Sequence, residues 1–268
     1  MRTLLDQILE PGALRLVFQP IVSIRGGAPR LRGLEALTRG PRGTNLEPPD
    51  LLFDFVRRKR AECEVDRHCV ELVFGAIVGL PEHFHISVNV HASTLARDPD
   101  FPSFLLASAR ENNVALDRIT VEIVEHAPPW DSDSFLSGLE AIRGSGPKIA
   151  LDDVGLGHSN YKMILDCRPN FFKIDRYFVH GVEADPHRRM VVESVTDLAH
   201  RFGGEVVAEG VEQALEVKAL ETSGVDLVQG FYFSPARPLA DLKADGLFEL
   251  ASVGPFAARP AQESRGAA

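Results

Sequence analysis

The residues of this chain best suited to chemistry are acids that fall at the ends of strand-like runs. In "KIALDDVGLGHSN", Lys148 to Asn160, an apolar stretch runs into Asp152 and Asp153, and two glycines follow. Neighbours on a regular strand face opposite sides, so both carboxylates cannot point inward, and the second must sit where the strand opens into a loop. From there both can reach a pair of cations, Asp152 shared between them, with Gly155 and Gly157 bending the loop aside. Glu35, Asn89, Glu122, Lys173, Glu209 and Gln229 lie at or near the ends of other such runs. Burying so many carboxylates is costly unless cations or protons compensate. Oxygen ligands, one Asn amide and no His or Cys cluster favour Mg2+ or Mn2+, as two ions, over Zn2+. Lys173 is no cation ligand; it suits holding an attacking water or neutralising charge on a phosphate.

Taken singly, each residue has an ordinary reading. Glu35 reads as a solvated strand end, Asp175 and Gln229 as turn residues, and Asn89 as a partner for local backbone. Glu125 reads as a surface ion-pair former, and Glu209 and Glu212 as acids compensating a helix start. The joint pattern over separate runs is what points to a site on one face of a barrel. His83, His85, His91, His126 and His158 are scattered, and "RRKR", Arg57 to Arg60, reads as a solvated helix face.

The elements that must position these groups alternate along the chain. Strands are expected at Leu14–Val22, Arg32–Leu37, Phe84–Val90, Arg118–Glu125, Pro147–Asp153, Phe171–Asp175, Gly203–Glu209 and Asp226–Gly230. Helical spacing fills the stretches between them, in "DLLFDFVRRKRAECEVDRHCVELVFGAIVGL", "FPSFLLASARENN", "DSFLSGLEAIRGSG", "HRRMVVESVTDLAHRFG" and "EQALEVKALETSG". Eight such alternations favour a closed α/β barrel over an open sheet. Between Val22 and Arg32 there is no room for a helical crossover, so the first two strands should be antiparallel. No linker divides the chain, which suggests one domain over residues 1–250. The small, polar, Pro-containing residues 251–268 read as a flexible tail.

A net charge of −9 argues against DNA or RNA as partner and against acidic membranes, while leaving room for a local anion pocket. Cys63, Cys69 and Cys167 form no CxxC pair and no disulfide framework, which fits a reducing cytoplasm. The opening residues do not read as a signal peptide, and no apolar stretch is long enough to span a bilayer, so direct membrane contact is not expected.

Taken together, "FQPIV" (Phe18 to Val22), "EALTR" (Glu35 to Arg39), "SVNV" (Ser87 to Val90) and "VEIVE" (Val121 to Glu125) resemble the EAL domain family. "DDVGLGHS", "FKIDRYFV", "VAEGVE" and "QGFYFSPA" continue the likeness in order through roughly residue 240. The resemblance implies a modified TIM (β/α)8 barrel with an antiparallel first strand, and hydrolysis of bis-(3'-5')-cyclic dimeric GMP to linear pGpG. It implies that Glu35, Asn89, Glu122 and Asp152 hold one metal, and Asp152 and Asp153 the second, with Glu209 acting through water. Lys173 would position the attacking water, Gln229 would support it, and Gln19 and Arg39 would contact the dinucleotide. Glu125 would order the loop after Asp153, with Glu212 assigned a similar part. A homodimer near that loop is expected, partly from the resemblance and partly from Tyr161, Met163, Ile164 and Leu165 in "NYKMILDCRPNFF"; a regulatory protein partner is left open.

The loop departs from the family's usual DDFGxGYSS at Val154, His158 and Asn160, and Ala92 stands where Pro is frequent. A catalytically inactive domain that binds cyclic di-GMP or a protein partner is the alternative reading.

Overall fold

The computed structural model describes residues 3–124, 133–156 and 161–248. Eight strands close a barrel in chain order: β1 (Arg15–Ser23), β2 (Arg30–Arg39), β3 (His85–His91), β4 (Ile119–Val124), β5 (Lys148–Leu151), β6 (Phe171–Ile174), β7 (Glu205–Ala208) and β8 (Leu227–Val228). β1 is antiparallel to both of its neighbours, pairing Gln19 with Glu35 on β2 and Val22 with Val228 on β8. Every other pairing is parallel. The expected fold class and the reversed first strand are therefore both present.

The strands alternate side chains between the lumen and an outer layer. Outward residues such as Leu34, Ile86, Val88, Val121, Ile123, Ile149, Phe172 and Val206 join one large core beneath the surrounding helices. Phe18, Phe74, Phe84, Phe101, Phe135 and Phe172 are fully buried, each contributing about 1.5–3 kcal/mol of burial. Inward residues Ile21, Ala150, Phe171, Val207 and Leu227 form a separate small cluster. It plugs the lumen below the acids, as side-chain layers do in barrels of this size.

Boundaries differ from the sequence reading where the backbone turns. The long helical stretch after residue 48 is two helices, Pro49–Lys59 and Glu62–Ala76. Arg60 breaks it in the left-handed conformation (φ 56°), donating its N–H back to Arg57 and Val56 as a C-cap. β5 stops at Leu151 rather than Asp153, and β8 keeps two residues of the five expected. Short helices at Leu4–Ile8, Ala92–Arg97, Arg176–Val179 and Leu239–Ala244 carry too few turns for a periodic signal. Among the described residues no helix is long and apolar enough to cross a membrane. Glu125, His158, Asn160 and the expected tail lie outside the described residues.

Candidate active site

The acids named from the sequence converge at the C-terminal mouth of the barrel. Glu35 lies within β2 and Glu122 within β4, both facing the lumen and nearly inaccessible. Asp152 follows the last residue of β5 and donates its N–H to the carbonyl of Ile123 (3.4 Å). Asp153 then takes a left-handed backbone (φ 52°), a conformation Asp tolerates better than most residues, and Val154 N–H bonds the carbonyl of Lys173 (2.9 Å). That turn lets consecutive aspartates serve one cleft. Glu209 follows β7, held by its N–H to the carbonyl of Ile174 (3.0 Å).

Lys173 stands at the centre. Its Nζ lies 2.5 Å from Glu209 Oε1, 3.4 Å from Glu35 Oε2 and 3.6 Å from Asp152 Oδ1, and it also contacts Glu122 Oε1. Burial disfavours its charge, but the carboxylates of Asp152, Glu122, Glu209 and Glu35 outweigh burial and hold the ammonium well above its ordinary range. Burial also opposes ionisation of Glu35, and there Lys173 together with hydrogen bonds from Asn89 and Gln229 keeps it ionised. Glu122 is pushed well up by burial and by the Glu35 carboxylate. Glu209 rises to about 8, from burial with Asp152 and Glu35 against the relief of Lys173. Asp153 rises to about 6, from burial beside Asp152 and Asp175. Five carboxylates thus surround one ammonium, and the upward shift of three of them marks a cleft short of positive charge.

The same cleft fits divalent cations. Glu35, Glu122 and Glu209 bring one oxygen each within 4.8 Å of one another, and so do Asp152, Asp153 and Glu209. Glu209 belongs to both sets, so two cation positions would be neighbours. Glu122 Oε2 is buried without a hydrogen-bond partner, as a ligand oxygen awaiting a cation would be. Asn89 Nδ2 donates to Glu35 Oε1 (3.0 Å), which leaves its oxygen as the acceptor for such an ion. An all-oxygen donor set of this kind suits Mg2+ or Mn2+.

Gln229 Nε2 donates to Glu35 Oε2 (2.6 Å) and to Gln19 Oε1 (2.9 Å), and Gln19 Nε2 donates to the carbonyl of Ser234 (3.1 Å). Gly230 permits this arrangement, because a Cβ there would lie 2.1 Å from the Val211 carbonyl oxygen. Val211 N–H bonds the Gln229 carbonyl (3.1 Å), locking the loops after β7 and β8 together. Glu212 is not the acid that caps the following helix. Glu216 does so, accepting the N–H groups of Glu212 (2.8 Å) and Gln213 (3.0 Å), while the Glu212 carboxylate lies 3.7 Å from His180. Asp175 is the expected turn residue, accepting Tyr177 N–H at a helix start.

Two cavities open from the cleft. One, about 430 Å³, is lined by Arg39, Asp50, Phe53, Arg57, Asn89 and His91. The other, about 440 Å³, is lined by Gln19, Asp175, Arg176, Glu209, Gln229 and Phe231. Both touch Glu35 and Asp152, so one elongated ligand can lie across the acids with an end in each. Phe53, Arg57, His91, Arg176 and Phe231 escaped the sequence reading. Phe53 and Arg57 are four residues apart on one helix and so share a face, and His91 shares strand parity with Asn89; both spacings were legible. Arg57 is thus a cavity wall rather than part of a purely solvated face.

The EAL domain family model matches residues 1–236. The chain is 30% identical over 246 residues to the probable cyclic di-GMP phosphodiesterase PdeG of Escherichia coli, covering 89% of this chain and 48% of that protein. The chain therefore spans about half the length of that relative. The EAL enzyme Bd1971, solved with cAMP and cyclic di-GMP bound, superposes with a TM-score of 0.81 at 25% identity, covering 92% of this chain and 67% of that one. The manganese and cyclic di-GMP complex of BlrP1 from Klebsiella pneumoniae superposes with a TM-score of 0.74 at 27% identity, covering 86% of this chain and 57% of that one.

Proposed function

The chain belongs to the EAL domain family, and from that premise we propose that it hydrolyses bis-(3'-5')-cyclic dimeric GMP to linear 5'-pGpG with Mg2+ or Mn2+. The observation that carries this reading is the pair of carboxylate sets sharing Glu209 around Lys173, between two cavities of similar size. Phosphodiesterase names among relatives and a manganese complex of a related structure support it.

In this reading Glu35, Asn89, Glu122 and Asp152 would hold one cation and Asp152 and Asp153 the other, with Glu209, whose carboxylate lies near both sets, acting through water. Bound there, the cations offset charge on the phosphoryl oxygens and make water a stronger nucleophile near neutral pH. The chain's own groups do the rest. Arg39 donates charge-assisted hydrogen bonds to a phosphate, and Gln19, fixed by Gln229 and Ser234, orients the ribose-phosphate ring from the other side. Lys173 Nζ, kept protonated by its carboxylates, donates to the attacking oxygen and holds it in line with the scissile bond. Water oxygen bonds to phosphorus, the P–O3' bond breaks, and the departing O3' ends as a hydroxyl while the new 5'-phosphate stays on the linear product.

Glu125 and Glu212 order the neighbouring loops in this scheme, and a two-fold homodimer forms beside them. Tyr161 and Leu165 support the dimer, exposed one helical turn apart, whereas Met163 and Ile164 are buried within the chain. Light scattering over a concentration series tests assembly; a strict monomer overturns it. Incubation with cyclic di-GMP and Mg2+, Mn2+ or EDTA, followed by chromatography, tests the chemistry. Linear pGpG with either metal and none with EDTA is expected. Tight binding without turnover in both metals would replace the enzyme reading with that of a receptor.

A further inference from the structure

The layer of inward side chains just below the acids is uneven around the barrel. Ile21, Phe171 and Leu227, from β1, β6 and β8, bulk out one side of the lumen, whereas Gly33, Ser87 and Ala150, from β2, β3 and β5, leave the other side thin. β2 bulges at Arg32, since Ile21 pairs with Gly33 but Val22 with Leu31. Gly33, next to the bulge, admits no larger residue, because a Cβ there would lie 2.4 Å from the His85 carbonyl oxygen. The mismatch of sizes produces a cavity of about 20 Å³, which Thr120 lines from β4 and which Glu122 and Lys173 line from the layer above. An ordered water needs roughly 10–15 Å³, so the cavity takes one water and nothing larger.

The polar atoms on this cavity gather on two neighbouring strands. Ser87 on β3 pairs with Thr120 on β4, which sets their side chains next to each other. Both are buried, at 6% and 2% exposure. Among the described residues neither hydroxyl has a hydrogen-bond partner. Glu122 lies two residues beyond Thr120 on the same strand and faces the same way. Its Oε1 contacts Lys173, while Oε2 is buried without a partner. Three unpartnered oxygens thus belong to side chains that share one cavity of water size. Buried groups of this kind are costly unless satisfied, and a bridging water satisfies them where no direct bond reaches.

We propose that one structural water, bonded by Ser87 and Thr120, holds the Glu122 carboxylate in position, which makes the two hydroxyl residues positioning groups for the cation site. The hydroxyls donate to the water oxygen, and the water donates to Glu122 Oε2. A carboxylate accepts at about four lone-pair positions, so Glu122 can take this bond and still offer an oxygen to a cation. Support of a ligand from behind changes metal affinity roughly 10- to 100-fold. The link to cation binding rests on the phosphodiesterase reading; the water itself does not.

Two measurements on the full chain test this. A high-resolution crystal structure grown in EDTA should show one water within hydrogen-bond distance of Ser87 Oγ, Thr120 Oγ1 and the Glu122 carboxylate. Calorimetric titration with Mn2+ alone should show roughly tenfold or more weaker binding in Ser87→Ala combined with Thr120→Val. Thr120→Ser keeps the hydroxyl and should stay within about threefold of the parent. Circular dichroism melting establishes that the variants are folded, and a merely structural role would move the melting temperature while leaving Mn2+ affinity alone. Should the double variant not fold, Thr120→Val alone, which preserves shape, should weaken Mn2+ by about threefold or more. A dry cavity, or unchanged Mn2+ affinity in the folded variants, overturns the proposal and leaves the hydrolysis reading standing. A parent that binds no Mn2+ overturns the positioning role together with the cation reading. A parent that binds Mn2+ without turning over cyclic di-GMP fails the hydrolysis reading alone, and the Mn2+ comparison still decides this proposal.

Discussion

Replacing Lys173 with Met keeps the aliphatic stem and deletes the only ammonium that the described residues place among these carboxylates. Nζ lies 2.5, 3.4 and 3.6 Å from oxygens of Glu209, Glu35 and Asp152 and also contacts Glu122. Removing one partner from a buried ionic cluster costs about 3–5 kcal/mol, which for a chain of this size lowers the melting temperature by roughly 6–20 °C in EDTA. Saturating Mg2+ should shrink that loss, because the cations supply the missing charge. The catalytic effect has a different signature. A donor acting mainly on the attacking oxygen is worth roughly 100- to 1000-fold in kcat, while KM should move by less than about threefold because that interaction matures in the transition state. Steady-state rates of pGpG formation and melting curves with and without metal measure both parts. Unchanged kcat with a raised KM would refute the water-positioning role. An unchanged metal-free melting temperature would refute the charge accounting.

Arg39→Gln should raise KM roughly 10- to 100-fold, the value of a charge-assisted bond to phosphate, with a smaller change in kcat, read from the same assay. Gly230→Ala places a methyl 2.1 Å from the Val211 carbonyl oxygen, so about 3 kcal/mol of stability should be lost in urea unfolding. Asp66 accepts from the His91 N–H (2.9 Å), Thr94 Oγ1 (2.6 Å) and His91 Nδ1 (2.9 Å). Burial opposes protonation of His91, but Asp66 outweighs it and raises the folded midpoint above the ordinary 6.5. The pair's contribution is therefore complete below pH 6.5 and fades as pH rises through the folded midpoint. Melting temperatures between pH 6 and 9 should carry that slope in the parent and lose it in Asp66→Asn.

The barrel and its ring of acids were legible because both follow from short-range rules. Short β-rich runs between helical stretches located the strands, and the short gap before Arg32 forced the first pair to be antiparallel. Asp153 was expected where the strand opens into a loop, and β5 stops earlier still, at Leu151, so both aspartates leave the strand. What escaped depends on non-local contact. No local signal tells that β2 bulges at Arg32, since the register is set by β1 across the hairpin. The ordinary reading of Glu209 and Glu212 as acids at a helix start misses Glu216, which caps that helix by reaching back from inside it. Arg57 reads as solvated helix face until the helix is seen lying against the mouth.

The reversal of β1 inverts the usual traffic through a barrel. In an all-parallel barrel the polypeptide enters at the floor, remote from the chemistry. Here Arg15 pairs with Arg39, the mouth end of β2, so the incoming chain arrives beside the acids. The first short helix, Leu4–Ile8, shares a buried cluster with Leu14, Leu52 and Val56, which packs it against the helix bearing Phe53 and Arg57. Tension, rotation or docking applied to the leading residues would reach a wall of the ligand cavity across a single layer of packing. An input delivered there needs no relay through the barrel staves: the entrance of the chain is itself a handle on the cleft.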